Sequence, residues 1–436
     1  MTTVAAVNLW GTRIGAVSLE EGGDVAAFQY DPAFARSGIE VSPLTMPLRE
    51  QPYAFGALNR ETFRGLPGLI ADSLPDKYGN ALIDAWLATQ GRRPGSFDAV
   101  ERLCYVGKRG MGALEFAPSR GPNPARSSDI RIGPLVELAS EVLARREDLA
   151  ASLAETRKED ALRDILSVGT SAGGARAKAV IAWNPSTQAV RSGQIDAGPG
   201  FEYWLLKFDG VTGNKDKEAL SDPQGFGAIE LAYADMARAA GITMSECRLL
   251  EENGRRHFMT RRFDRDDEGR KLHMQSLGAI AHFDFNQAGA HSYEQAFMTI
   301  RALGLTMDAV EQQFRRMAFN VIARNQDDHV KNIAFLMDRA GRWTLSPAFD
   351  VTYAYQADGA WTDRHQMSLN GKRDAFTLDD FRACARVASM KGGSAERIVD
   401  EVSATVSEWP AFAARAEISE QRMEQIQRAH RLELSR

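Results

Sequence analysis

What this chain has little of already narrows its function. Only three cysteines occur among 436 residues, Cys104, Cys247 and Cys384, far apart and in neither a metal nor a redox spacing. That leaves no disulfide framework and suits a reducing, cytoplasmic setting. The seven histidines form no zinc signature: His273, His282 and His291 recur every nine residues, a period that neither a helix nor a strand brings onto one face. No apolar run approaches the roughly 18 residues of a membrane-spanning helix, so no membrane partner is expected. The N-terminus "MTTVAAVNLWGTRIGAV" lacks a basic stretch followed by a long apolar run, so no secretory signal is expected. A net charge of −5 argues against general attraction to nucleic acid, although a local basic face stays open. Internal repeats and low-complexity tracts are absent.

What remains is the composition of a globular protein, 44% hydrophobic and 25% charged. A chain this long exceeds one ordinary core, so two or three packed units are expected. The opening "TVAAVNLWGTRIGAVSLE" has β-rich runs broken at Gly11, a hairpin signal. "LPGLIADSLPDKYGNALIDAWLATQGRRP" reads as helical turns ending near Gly91, and "ERLCYVGKRGMGALEFAP" as a strand-like run around its glycines. Residues 119–129, rich in Pro, Gly, Ser and Arg, read as a linker. A helical pattern runs from Ile132 to Arg163, and glycine clusters in "SVGTSAGGARAKAVIAW". Next come the strand "FEYWLLKFDG", the helix "GFGAIELAYADMARAAGI" ending at Gly241, and a hairpin turning at Asn253-Gly254. Beyond about residue 270 the chain reads as helical apart from one hairpin in "NIAFLMDRAGRWTLS". The expected units are 1–118, 130–262 and 263–436, a β-rich half before a helical one.

The chemistry concentrates in "RNQDDHVKN", Arg324 to Asn332. Val310, Phe314, Met317, Val321 and Ile322 fall at helical spacing just before it, so a core-facing helix delivers the loop from a rigid support. Asp327 and Asn332 have four residues between them. This is the D-x-x-x-x-N spacing of kinase catalytic loops, in which Asp takes the acceptor hydroxyl proton and Asn binds Mg²⁺. Asp328 competes for the base role, and spacing alone favours Asp327. His329 is expected to cap the loop through a backbone hydrogen bond ahead of any proton-transfer role, Lys331 is a solvated or phosphate-near charge, and both stand among the candidate nucleotide-binding residues. The second hairpin leads into "PAFDV", which puts Asp350 at a strand end as a second metal ligand, since Mg²⁺ takes carboxylate together with phosphate oxygens.

The upstream parts follow kinase order. "SAGGARAKA", with Ser171, Ala172, Gly173, Gly174, Ala175, Arg176 and Lys178, brings backbone N–H groups close to phosphates. Lys207 ends a strand where a phosphate-pairing lysine belongs, and Glu230 on the next helix orients it. "FMTRRFDR", with Arg261 and Phe263, ends a strand at the lobe boundary and serves as the adenine hinge. Arg261, Arg262 and Arg265 form either a basic patch or ion pairs with Asp264 and Asp266.

Together these segments resemble the HipA family of bacterial toxin kinases over nearly the whole chain. The resemblance is carried by "LPGLIADSLPDKYGN", "YVGKRGMGALEF", "GTSAGGARAKAV", "WLLKFDG", "RRFDR", "NQDDHVKNIAFL" and "LSPAFDVTYAY". It implies an α+β, two-lobed protein-kinase-like fold with a β-rich N-terminal subdomain and a mainly α-helical C-terminal lobe. It implies ATP and Mg²⁺ as cofactors, Asp327 as catalytic base, and Asn332 and Asp350 as metal ligands. Ser171 takes the position of the serine that becomes autophosphorylated in this family, with Thr170 and Ser167 as neighbouring competitors. The implied protein substrate is a serine of an aminoacyl-tRNA synthetase, with growth arrest as the outcome. The implied partner is a small helix-turn-helix antitoxin that holds operator DNA and supplies its base readout. Ala177 and the Arg-Arg-Phe hinge depart from the pattern of some members. A small-molecule kinase and a mainly repressive DNA-bound corepressor are the rival readings.

Overall fold

The computed structural model describes residues 2–121, 130–144, 164–166, 168, 169, 176–211, 225–266 and 268–434. The Gly-rich residues Ser167 and Thr170 to Ala175, and residues 145–163 of the long helical pattern, lie outside the described residues.

Two-residue turns in left-handed backbone close one hairpin in each of the first two sheets. Trp10 (φ 51) and Gly11 (φ 84) close β1 (Thr3–Leu9) onto β2 (Thr12–Leu19). With β3 (Ala27–Tyr30), β4 (Tyr53–Ala54) and β5 (Leu114–Ala117) they form an antiparallel sheet in the order β4-β3-β2-β1-β5. The second sheet comprises β6 (Lys178–Trp183), β7 (Val190–Ser192), β8 (Glu202–Lys207), β9 (Cys247–Glu252) and β10 (Arg255–Arg261), in the order β7-β6-β8-β10-β9. Its β9–β10 hairpin turns on Asn253 (φ 51) and Gly254 (φ 74), the pair expected from sequence.

Three expectations change in detail. Glu101 to Val106 belong to the helix Ala99–Val106, because Asp98 and Glu101 make a reciprocal capping box that starts a helix there. The hairpin of β12 (Ala334–Met337) and β13 (Trp343–Leu345) gains a third strand, β11 (His273–Ser276), from a stretch read as helical. Four residues pairing with a distant strand leave no local period to read. Asp350 lies past the end of β13, in a bend rather than at the strand end.

The helical lobe includes Tyr293–Ala302, Met307–Ile322, Leu378–Val387, Ser394–Ser407 and Glu420–Ala429, around one core that contains all five apolar residues foreseen before the Asp327–Asn332 loop. The N-terminal subdomain docks on this lobe through backbone groups. The Nε2 of His282 accepts from Gly68 N at 3.1 Å, and Asp72 accepts from Ser276 N at 2.7 Å. A Cβ on Gly68 would lie 2.3 Å from Ala279 O, so only glycine permits this approach.

At the boundary, Asp264 settles the question of the three arginines. It is buried and accepts from Arg262 Nε at 2.9 Å, Arg265 Nη1 at 2.7 Å and Gly112 N at 2.7 Å, so two of the arginines serve internal ion pairs. Arg265→Ala removes one of these charged bonds while Arg262 stays paired. It is expected to cost about 2 kcal/mol of stability, measured by urea unfolding.

Candidate active site

Period-2 alternation in β8 sends Trp204 and Leu206 into the second core and turns Leu205 and Lys207 towards a cleft between the lobes. The helix Phe226–Ala239 packs tightly against the same sheet. A Cβ on Gly227 would come within 2.3 Å of Arg256 O, and this closeness brings the buried Glu230 to Lys207. Lys207 Nζ donates to Glu230 Oε1 at 2.6 Å and also to Asp350 Oδ1. Burial works against the lysine's charge, but Asp350 and Glu230 more than offset it and raise its pKa. Burial likewise opposes charge on Asp350, yet Lys207 and Lys178 hold its carboxyl well below the usual range. Asp350 adopts φ 56, a left-handed backbone uncommon outside glycine, and Lys207 bonds its carboxylate there.

The two adjacent acids of the loop part company. The Asp327 side chain is 40% exposed and lines the cleft, with Oδ1 accepting from Trp361 Nε1 at 2.7 Å. The Asp328 side chain is 1% exposed and points into the lobe. It accepts from Tyr293 Oη at 2.5 Å, Gln366 N at 2.7 Å and His365 Nδ1 at 2.8 Å. Asn332 Nδ2 donates to Asp327 O at 2.8 Å, which fixes the amide and leaves its oxygen for a ligand.

His329 does not cap as expected. It stands at the start of the short 3₁₀ turn Val330–Asn332 without a side-chain cap bond. Its ring lies in the cleft instead, with Nε2 3.9 Å from Asp327 Oδ1. The chain's own amides close the turn, Asn332 N donating to His329 O at 2.9 Å, so no side-chain cap is needed. Lys331 Nζ is 5.0 Å from the centre of the Phe285 ring, also in the cleft.

Arg176, Lys178, Arg261 and Phe263 line the same space, with Arg176 stacked 4.3 Å over Phe226 and Phe263 5.4 Å from Phe349. The cleft thus gathers Lys207, Glu230, Asp327, His329, Lys331, Asn332 and Asp350. Ser171, Ala172, Gly173, Gly174 and Ala175 lie outside the described residues. Sequence reasoning missed Trp361, Tyr293 and His365, whose roles arise only from contacts across the fold. It also missed Asp76, whose place before a helix signals a cap and nothing more.

The cleft measures about 2020 Å³. Its chemistry suits a magnesium nucleotide: Asp350 and Asn332 offer hard oxygen ligands, and Lys207, Lys178 and Arg176 offer cations for phosphate.

Two lobes closing on a cleft, with a strand lysine paired to a helix glutamate above an Asp–Asn loop, define a protein-kinase-like fold. Residues 170–409, more than half the chain, match the family model described as the HipA-like C-terminal domain, and residues 5–117 match the HipA N-terminal domain. The chain belongs to the HipA family. Among solved structures it is similar to the complex described as the Shewanella oneidensis MR-1 toxin–antitoxin system HipA, HipB and operator DNA. That match has a TM-score of 0.66 and 16% identity, covering 97% of this chain and 94% of that one. The Helicobacter pylori proinflammatory kinase CtkA matches 56% of this chain and 93% of its own at a TM-score of 0.32 and 12% identity, too remote to carry an argument. No curated protein matches the sequence. No helix among the described residues is long and apolar enough to cross a membrane.

Proposed function

We propose that this chain is a serine/threonine-protein kinase toxin of the HipA type, transferring the γ-phosphoryl group of Mg·ATP to a protein serine. The observation that carries this reading is the position of Lys207, bonded at once to Glu230 and Asp350 in the cleft that also holds Asp327 and Asn332. In this reading Asp327 accepts the acceptor hydroxyl proton, and Trp361 fixes the carboxylate for that task. Asn332 and Asp350 would hold Mg²⁺, which would supply positive charge to offset that of the phosphates. Lys207, Lys178, Arg176, His329 and Lys331 attend the phosphates, and Arg261 and Phe263 border adenine. Phosphoryl transfer requires little of the protein beyond such placement and neutralisation.

The units 1–118, 130–262 and 263–436 serve in this proposal as N-terminal subdomain, nucleotide lobe and catalytic lobe. Ser171 is the proposed site of self-phosphorylation. The proposed partner is a small helix-turn-helix antitoxin bound to operator DNA, consistent with the HipB and operator DNA in the similar complex. The proposed outside substrate is an aminoacyl-tRNA synthetase in the cytoplasm, whose modification halts translation.

Intact-mass spectrometry with phosphosite mapping tests this. Purified protein incubated with Mg·ATP is expected to gain a phosphate on Ser171, and Asp327→Asn is expected to gain none. If neither protein gains one and cell lysate shows no Asp327-dependent labelling, the enzyme reading gives way to a corepressor that holds its antitoxin on DNA.

A further inference from the structure

The helix Lys77–Thr89 belongs by sequence to the N-terminal subdomain, yet Tyr78, Leu82 and Ala85 bury themselves in the core of the second sheet. Its N-cap residue, Asp76, uses one oxygen locally: Oδ1 accepts from Gly79 N at 2.6 Å. The other, Oδ2, lies 3.7 Å from Nζ of Lys178 on β6, with the two side chains only 6% and 3% exposed. A carboxylate from the first subdomain therefore reaches the wall of the cleft itself.

Lys178 stands where a buried cation needs such a partner. It is the direct register partner of Lys207 across the antiparallel β6–β8 pair, so the two side chains share one face of the sheet. Their ammonium groups repel each other, and both are taken out of water. Lys207 has Glu230 and Asp350. For Lys178, burial is the largest influence against charge, and Asp76 is the leading influence in its favour, with Asp350 and Glu230 acting more weakly.

We propose that Asp76 is a positioning residue for the nucleotide phosphates, holding Lys178 against the cleft wall and away from Asp350. The inference rests on the kinase reading and deepens it. A nucleotide site whose second lysine is anchored by the N-terminal subdomain is complete only while that subdomain is docked. Without Asp76, Lys178 turns towards Asp350, a carboxylate that also favours its charge, and one move costs both a phosphate contact and a proposed metal ligand.

The test is Asp76→Asn in the full chain, since asparagine keeps an oxygen for Gly79 N and preserves the helix start while removing the charge. Calorimetric titration with Mg·ATP is expected to show affinity about tenfold weaker, the scale of one charge-assisted bond. Titration with adenosine, which has no phosphates, is expected to be unchanged. In a Lys178→Met background the Asp76→Asn change is expected to have no further effect on Mg·ATP, because Asp76 acts through that lysine. Unchanged Mg·ATP affinity in Asp76→Asn, an equal loss for adenosine, or full additivity with Lys178→Met each overturns the proposal. Wild-type protein that binds no Mg·ATP overturns the kinase reading, and this inference with it.

Discussion

Asp327→Asn is expected to abolish phosphoryl transfer while leaving the protein folded and able to bind nucleotide. A positioned general base accelerates its step by about 10²- to 10⁴-fold, so the Mg·ATP-dependent rate is expected to fall by about 10³-fold. The Asp327 side chain is 40% exposed, and the amide oxygen of asparagine still accepts from Trp361 Nε1, so stability holds. In the proposed roles Asp327 faces the acceptor hydroxyl and leaves the phosphates to Lys207 and the metal ligands. The loss therefore falls on kcat with little change in KM for ATP, and steady-state kinetics separate the two. A variant that retains wild-type turnover removes Asp327 from the base role.

Its neighbour is expected to behave in the opposite way. Asp328→Ala leaves the Tyr293 hydroxyl, His365 Nδ1 and Gln366 N without their common acceptor inside the lobe. Breaking a buried charged network by removing one member costs about 3–5 kcal/mol, a large share of a domain's stability. Urea unfolding measures it, and a cost below about 1 kcal/mol removes Asp328 from this structural role. The pH dependence has a definite sign. Burial raises the Asp328 pKa, but His365, Tyr293 and the Gln366 amide lower it further than burial lifts it, to below the ordinary 3.8. A carboxylate depressed on folding stabilises fully above its unfolded pKa, and loses that contribution as pH falls from about 3.8 through the folded value. Wild type is expected to lose stability over that acid range, and Asp328→Ala to show a shallower acid limb. The same chain elements bear on both acids, yet one substitution acts on turnover and the other on folding.

Much of this contrast lay beyond the reach of sequence. Spacing favoured Asp327 over Asp328, but two consecutive acids in a loop look alike until the partners of each are known. Those partners come from far along the chain: Trp361 is 34 residues from Asp327, and Tyr293 is 35 from Asp328. The Lys207–Glu230 pair was legible because strand and helix are consecutive and their ends meet. The pairing of β11 with β12, the docking of His282 on Gly68 and the reach of Asp76 to Lys178 had no local signal at all.

By itself the sequence determined what short-range chemistry determines. It placed hairpin turns at Gly11 and at Asn253-Gly254, where glycine and asparagine accept left-handed backbone, and the apolar stripe that anchors the Asp–Asn loop. It also supplied the order of lysine, glutamate, Asp–Asn loop and final aspartate that marks the family. The tertiary structure decided which acid faces the cleft, that His329 lines it rather than capping the turn, and that Asp264 ties together the two arginines beside it. Turn and helix preferences act over a few residues and leave a pattern in the chain, whereas burial and ion pairing depend on which distant surfaces meet, and that is settled only when the cores close.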